Sequence, residues 1–571
     1  MKNHNSSNNY NTLVNNAINL QNSGQFDQAL NIYDTLLSQN PKDGRVLFLK
    51  GSLFGQMGEF EKCITSLKQS LAIYPEQADA LNYLAFAYEL SGQLPQALAS
   101  YNNLLKLSPK HEDALLNKAN ILAKLGYEDL ARETYSEALN TYPRNIMLLN
   151  NFSAFLQLEE EFSLAETLVK KALEIKPNYP QALSNFGNIL IKQERFDEAE
   201  DILLKAISLR PNYVDALINL GFLCHNTARF EKALAYFNQA IELAPQSYDG
   251  HWYRAFSLLI TGKLKQAWLD YDFGLLNEKR IVGNFQFPSF EQHNAEKPDI
   301  FVMAEQGVGD QVMFASCLPD LIAKCNSIVL ECDKRLVPVF KKAFPSITPI
   351  ATNQYDNASL RNTFPNITHK LAIGSLPRLF RSSVNDFPNV SPYLKPAPEE
   401  ISKWKSRYSK LGAKLKVGIS WQAGIKIEHN KRSMLLESWK QVLACDCDFI
   451  SLQYGEHNTE IKEVEEKFGI KIHDWDDSDS MKDIDDFSAQ IAALDLVISV
   501  GNTNVHLAGA LNIPAWCLIP QVPSWRWMHD GEHCLWYPSV KIYRQHILHE
   551  WQPVLENVEQ DLKQLILSNS H

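Results

Sequence analysis

Gly501-Asn502-Thr503-Asn504 is a polar turn between an apolar run, Leu496–Val500, and a small-residue helix expected over Val505–Leu511. Pro514–Ile519 then has strand character. In an open α/β sheet, a strand–turn–helix unit offers backbone N–H groups to an anion, with Asn502 or Thr503 able to cap the helix. Lys431 and Arg432 stand in the loop Gln422–Ser433, after a strand expected at Lys416–Trp421. A pyrophosphate gripped by N–H groups on one side and cations on the other is the chemistry these residues support. The alternative for Lys431 and Arg432 is a solvated surface pair. His506, on the helix after the turn, is either part of the site or a satisfied core histidine.

A second set lies upstream. The short strand Asp299–Met303 runs into a loop holding Gln306, Gly307, Gly309 and Asp310. The glycines let the backbone approach a ligand, and Asp310 is either a helix N-cap or a carboxylate facing that ligand. The third glycine of a dinucleotide fingerprint is missing.

These loops need a scaffold. A helix is expected over Val312–Cys325, a strand over Ser327–Glu331 and a helix over Lys334–Ala343. An extended crossover at Val390–Pro398 and a helix at Glu399–Leu411 lead to a second series. Its strands are Lys416–Trp421, Phe449–Gln453 and Lys471–Trp475, with a helix at Asp485–Leu494. Alternating strands and helices imply doubly wound parallel sheets. Asp446-Cys447-Asp448 precedes its strand and so faces the wrong sheet edge for a metal–nucleotide site. The acidic run Asp474–Asp486 lacks metal spacing and is expected to be a solvated loop. Trp525, Trp527 and Trp536 are expected to pack rather than react.

The first half repeats. Prolines stand at 41, 75, 109, 143, 177, 211 and 245, every 34 residues. A second phase holds Gly24, Gly58, Gly92, Gly126, Glu160, Glu194, Ala228 and Gly262. A third holds Ala29, Cys63, Ala97, Ala131, Ala165, Ala199, Ala233 and Ala267. Frames starting at 10, 44, 78, 112, 146, 180, 214 and 248 give eight units, the last one degenerate. Position six of four consecutive frames is Asn117, Asn151, Asn185 and Asn219. Such a row of amides is either a ladder for an extended peptide backbone or a tolerated polar stripe. Residues 280–298, with Pro288 and Pro298, are expected to be a linker.

At 571 residues the chain exceeds one core, so several domains are expected. The net charge of −11 argues against a general nucleic-acid binder. Nine cysteines are scattered without a CxxC pair, which fits a reduced cytoplasmic protein. The polar, Asn-rich N-terminus lacks the apolar segment of a signal peptide, and no run reaches the ~18 apolar residues of a membrane span.

The 34-residue period with these small residues resembles the tetratricopeptide repeat, in which the first helix of each unit lines a concave surface. The Asn row looks like that in the repeats of O-linked N-acetylglucosamine transferases. From about residue 300 onward, an ordered set of motifs is similar to the heptosyltransferase family and to repeat-bearing relatives of O-linked N-acetylglucosamine transferase. The set comprises AEQGVGDQVMF at 304–314, KVGISW at 416–421, HNKRS at 429–433, ISLQ at 450–453, LDLVISVGNTNVHLAGAL at 494–511 and WRW…WYPSVKIYRQ at 525–545.

The resemblance implies an N-terminal tetratricopeptide α-solenoid over 10–280, followed by a GT-B pair of Rossmann-like doubly wound domains. The first, on the acceptor side, would span 281–398 and the second, on the nucleotide-sugar side, 399–571. It implies sugar transfer from a nucleotide-sugar donor to a polypeptide or glycan acceptor, without a metal or resident cofactor. Asp310 would be the general base, and Gln306, Gly307 and Gly309 would form the acceptor loop. Lys431, Arg432, Asn502, Thr503 and His506 would surround the donor diphosphate, and Asn117, Asn151, Asn185 and Asn219 would line a peptide groove. Many relatives carry Asp at the position of Gly501. Its loss implies weak donor binding or lost activity, unless Gly501 only loosens the turn. The alternative function is an inactive transferase-like domain on a repeat scaffold.

Overall fold

The computed structural model describes residues 2–276, 279–292, 297–387, 392–424, 429–475, 477–479 and 481–569. The N-terminal region is an α-solenoid. Among the described residues, sixteen helices from Lys2–Asn22 to Leu264–Tyr271 form eight antiparallel pairs. From the second pair on, first helices start at the expected frames: Gly44, Ala78, Glu112, Ile146, Pro180, Val214 and Tyr248.

The three phases have separate physical causes. All eight residues of the second phase adopt positive φ, from +56° at Ala228 to +77° at Gly24. This left-handed residue lets the next N–H reach back to the closing helix, as Glu161 N does to Leu156 O at 2.9 Å. The third phase is buried in every repeat, at 0–1 % exposure, because the helices of a pair touch there. Each of the seven prolines stands two residues after the end of a second helix and prevents its continuation.

The chain divides into two compact units, Met1–Tyr213 and Val214–His571. The second unit includes the last two helical pairs. Their Phe230, Trp252, Trp268 and Tyr271 share a core with Phe314, Trp525 and Trp536 of the α/β region. Trp268 Nε1 donates to Arg381 O at 2.8 Å. The eighth pair is packed on both sides, against the seventh pair and against the α/β region.

The α/β region holds two sheets, all of whose strand pairs are parallel. The first contains β1 (Asp299–Met303), β2 (Ser327–Cys332), β3 (Ile347–Ala351) and β4 (His369–Ala372), in the order β3-β2-β1-β4. The second contains β5 (Lys416–Ser420), β6 (Asp448–Ser451), β7 (Ile472–His473), β8 (Leu496–Val500), β9 (Ala515–Ile519) and β10 (Val540–Arg544), in the order β10-β9-β8-β5-β6-β7. In such sheets the ligand crevice opens beyond the strands' carboxyl ends, where the order reverses. That point lies between β1 and β4 in the first sheet and between β5 and β8 in the second.

Some expectations need correction. The helix expected over Val312–Cys325 is two helices, Val308–Ala315 and Leu318–Lys324, with Pro319 in the first turn of the second. The expected linker, irregular where described, packs on the first sheet. Phe285 and Phe287 are buried with Phe301, Met303 and Ile350, and Ser289 bridges to Lys370. The crossover at Val390–Pro398 starts outside the described residues; its end leads into the helix Pro398–Ser409.

Candidate functional site

At the second sheet's switch point, Asn502 caps the helix Thr503–Ala510 by accepting from Asn504 N at 3.0 Å. Its amide nitrogen donates to Ser420 Oγ at 2.8 Å and to Gln422 O at 3.2 Å, which ties the end of β8 to the end of β5. Gln453 Oε1 accepts from Ser420 Oγ, Trp421 N and Gln422 N, each at 3.0 Å, and ties in β6. The Asn502 side chain is therefore committed to the protein, and this turn can offer a ligand backbone N–H groups rather than that amide.

The loop carrying Lys431 and Arg432 is pinned at its base. Met434 N donates to Trp421 O at 3.0 Å and Ala423 N to Ser433 Oγ at 2.9 Å. Residues 425–428 of this loop lie outside the described residues. Lys431 and Arg432 are half-buried in the short helix His429–Arg432, on the sheet edge that Asn502 occupies.

At the first sheet's switch point, Glu305 is fully buried. It accepts from Arg280 Nε at 2.6 Å and from Gly374 N, beyond β4, at 2.7 Å. Arg280 also donates to Asp272 at 2.6 Å, and its guanidinium lies 4.4 Å from the Tyr271 ring centroid. The loop after β1 is thus braced from beneath. Gln306 takes φ +60°, and both it and Gly307 are exposed. Gly307, not Asp310, is the N-cap, and Asp310 N donates back to Gly307 O at 3.1 Å. A Cβ on Gly307 would meet nothing within 4 Å, so this edge is open.

The two switch points meet. A Cβ on Gly309 would lie 2.9 Å from His506 Cδ2 and 3.3 Å from Thr503 Oγ1. Gly309 therefore serves the approach of the helices Val308–Ala315 and Thr503–Ala510. Asp310, one residue on, accepts from Arg526 Nε and Nη2 at 2.5 Å each. Arg526 also donates to Ser524 Oγ at 2.7 Å and lies 4.6 Å from the Trp525 ring centroid.

His506 is fully enclosed, stacked on Trp527 at 5.2 Å, with Nδ1 3.1 Å from Tyr537 OH. Burial lowers its pKa to about 4, so the imidazole is neutral at pH 7 and supplies no charge to a diphosphate. Gly501 has a structural role. A Cβ there would lie 2.9 Å from Trp527 Nε1, so glycine makes room for the indole and is not a loosened turn. Trp525, Trp527 and Trp536 are buried, as packing groups should be.

In the repeats of the first unit, Asn117, Asn151 and Asn185 are half-buried, and their amides engage the protein. Asn117 donates to Tyr101 OH at 3.1 Å. Asn185 donates to Asn150 Oδ1 (2.9 Å), Asn150 to Asn151 Oδ1 (3.1 Å) and Asn151 to Asn120 Oδ1 (3.3 Å). One hydrogen of each amide group is used in this way, leaving a second. Asn219, in the second unit, is also half-buried.

The dismissed motifs are structural. Asp446 pairs with Lys414 at 2.6 Å and Asp448 with Lys416 at 2.8 Å, on the edge of the sheet opposite the site. In the acidic run, Asp477 pairs with Arg407 at 2.6 Å and Asp485 with Lys342; Asp476 and Ser480 lie outside the described residues. Among the described residues, no three His, Cys, Asp or Glu side chains are grouped to hold a metal.

Arg526, Glu305, Arg280 and Trp527 were not singled out as site residues in the sequence. Arg526 and Trp527 lie in the motif WRW, where Trp527 is expected to pack and Arg526 carries no assigned role. Arg280 has no local signal, since its partners lie 8, 25 and 95 residues away.

Profiles described as tetratricopeptide repeat match residues 14–62, 87–146 and 178–246. The helical pairs within these stretches are tetratricopeptide repeats. Protein FlbA of Caulobacter vibrioides is 29% identical over 329 residues, 55% of this chain and 55% of FlbA. The chain thus spans about half the length of this curated relative. A tetratricopeptide repeat protein from Parabacteroides merdae is 14% identical, covering 44% of this chain and 98% of its own, with a TM-score of 0.40. Yeast Tom70 is 19% identical, covering 43% of this chain and 54% of its own, with a TM-score of 0.35. No helix among the described residues is long and apolar enough to cross a membrane.

Proposed function

We propose that the chain is a glycosyltransferase of GT-B type. It would move a sugar from a nucleoside-diphosphate donor to a polypeptide or glycan acceptor recruited by the repeats. The observation carrying this reading is the meeting of two parallel-sheet switch points, which brings Gly309 and Asp310 against Thr503 and His506. The first sheet then serves the acceptor and the second the donor.

In the reaction, the acceptor hydroxyl gives its proton to Asp310 as its oxygen bonds the anomeric carbon. The bond from that carbon to the diphosphate breaks, and the leaving group carries its negative charge to the N–H groups opening Thr503–Ala510 and to Lys431 and Arg432. His506 contributes shape and a neutral hydrogen-bonding ring. A second reading, a silent domain on a repeat scaffold, is favoured by Trp527, which fills the space beside Gly501.

Transfer from isotope-labelled nucleotide sugars to lysate proteins, read by mass spectrometry, separates the two. The transferase reading expects labelling that falls about 10²–10⁴-fold in Asp310→Asn. Labelling that survives this change rejects the base, and no labelling with any donor favours the scaffold.

A further inference from the structure

The ion pair between Asp310 and Arg526 joins the proposed base to a loop of the other sheet. Resting on the transferase reading, we infer that Arg526 is the receptor for the donor diphosphate, and that the diphosphate releases Asp310 by taking its arginine. The pair is mostly enclosed, with side-chain exposures of 15% and 19%. Both nitrogen contacts fall on the same carboxylate oxygen, Oδ1. Two guanidinium hydrogens thus occupy the acceptor positions of Oδ1, which leaves that oxygen no place for the hydrogen of an incoming hydroxyl.

The arginine is held independently of the aspartate. Ser524 Oγ accepts from Nη1 and the Trp525 ring lies against the guanidinium, so Arg526 stays placed when Asp310 turns away. Its location suits a phosphate. Asp310 adjoins Gly309, which abuts Thr503, the first residue of the helix whose N–H groups face the same crevice. A planar guanidinium in a partly dry site pairs with two phosphate oxygens as readily as with a carboxylate. The base is therefore masked in the empty enzyme and exposed once the donor is bound, which orders donor before acceptor.

The test is a double-mutant cycle on binding of UDP, ADP and GDP, measured by calorimetry on the full chain. Variants are Asp310→Asn, Arg526→Gln and both together, with Arg526→Lys as a folding-tolerant partner. Asp310→Asn should tighten the diphosphate that binds by about tenfold, since Arg526 no longer has a competing charge. Arg526→Gln should weaken it by a similar factor, and Asp310→Asn should then have no further effect. Arg526→Lys should fall between. Unchanged or weaker binding in Asp310→Asn overturns the inference. So does tightening that persists in Arg526→Gln, which would be simple repulsion by Asp310. Diphosphate binding that needs Lys431 but ignores both Arg526 variants leaves the transferase reading intact and rejects this one. Absence of diphosphate binding even to Asp310→Asn rejects both.

Discussion

At the scale of single residues, His506 and His225 set a pH dependence. His506 is buried against Trp527 and Tyr537, and His225 is half-buried beside Ser257 Oγ at 2.9 Å. Burial lowers each pKa to about 4, against roughly 6.5 in an unfolded chain. Between those values the unfolded state binds more protons, so stability is full above about pH 6.5 and is lost as pH falls toward 4. Each ring should cost about 2 kcal/mol by pH 5. Urea unfolding at pH 7 and pH 5 checks this: His506→Gln should remove one ring's share of the pH 7-to-5 loss, and an unaltered loss would contradict the assignment. The choice left open in the sequence, ligand group or core histidine, turns on what encloses the ring. Trp527 and Tyr537 come from segments 21 and 31 residues away, which no local pattern reveals. Gly501 was equally illegible, because its reason is the indole of Trp527.

At the scale of elements, the repeats were the most legible part of the chain. One period located the eight left-handed turns, including three without glycine: Glu160, Glu194 and Ala228. Their conformation is imposed by the hydrogen bonds that close each first helix. It is maintained against the ~1–2 kcal/mol that a Cβ costs there. Glu160→Gly should therefore raise stability by about 0.5–1 kcal/mol, and Gly126→Glu should lower it by a similar amount. Melting temperatures of the two variants check the sign; a fall in Glu160→Gly would mean the glutamate side chain makes a compensating contact. The strands were legible as apolar runs because both sheets are parallel and covered. The expected linker is irregular, as Pro288 and Pro298 suggest, but it is packed: Phe285 and Phe287, spaced at strand period, bury against β1. The long helix failed because Pro319 starts a new helix as readily as it ends one.

At the scale of the molecule, the last two repeats belong with the α/β region in one compact unit. Arg280, in the segment after the repeats, pairs with Glu305 beneath the loop that presents Asp310. The general plan, repeats followed by parallel α/β sheets, was readable because it is written in periods and runs. At the candidate site, the loop after β1 and the turn after β8 are legible in the sequence, whereas the inward hydrogen bonds of Asn502 and the pairings of Arg526 and Glu305 depend on the folded sheets. The proposed function requires the second sheet's switch point to bind a nucleotide sugar. Its most direct test is a thermal-shift titration of the full chain against a panel of nucleotide sugars. Stabilisation by one donor class is expected, growing with concentration as binding to the native state requires, and lost in Lys431→Ala. No shift with any member at millimolar concentration, or an equal shift in Lys431→Ala, would contradict it.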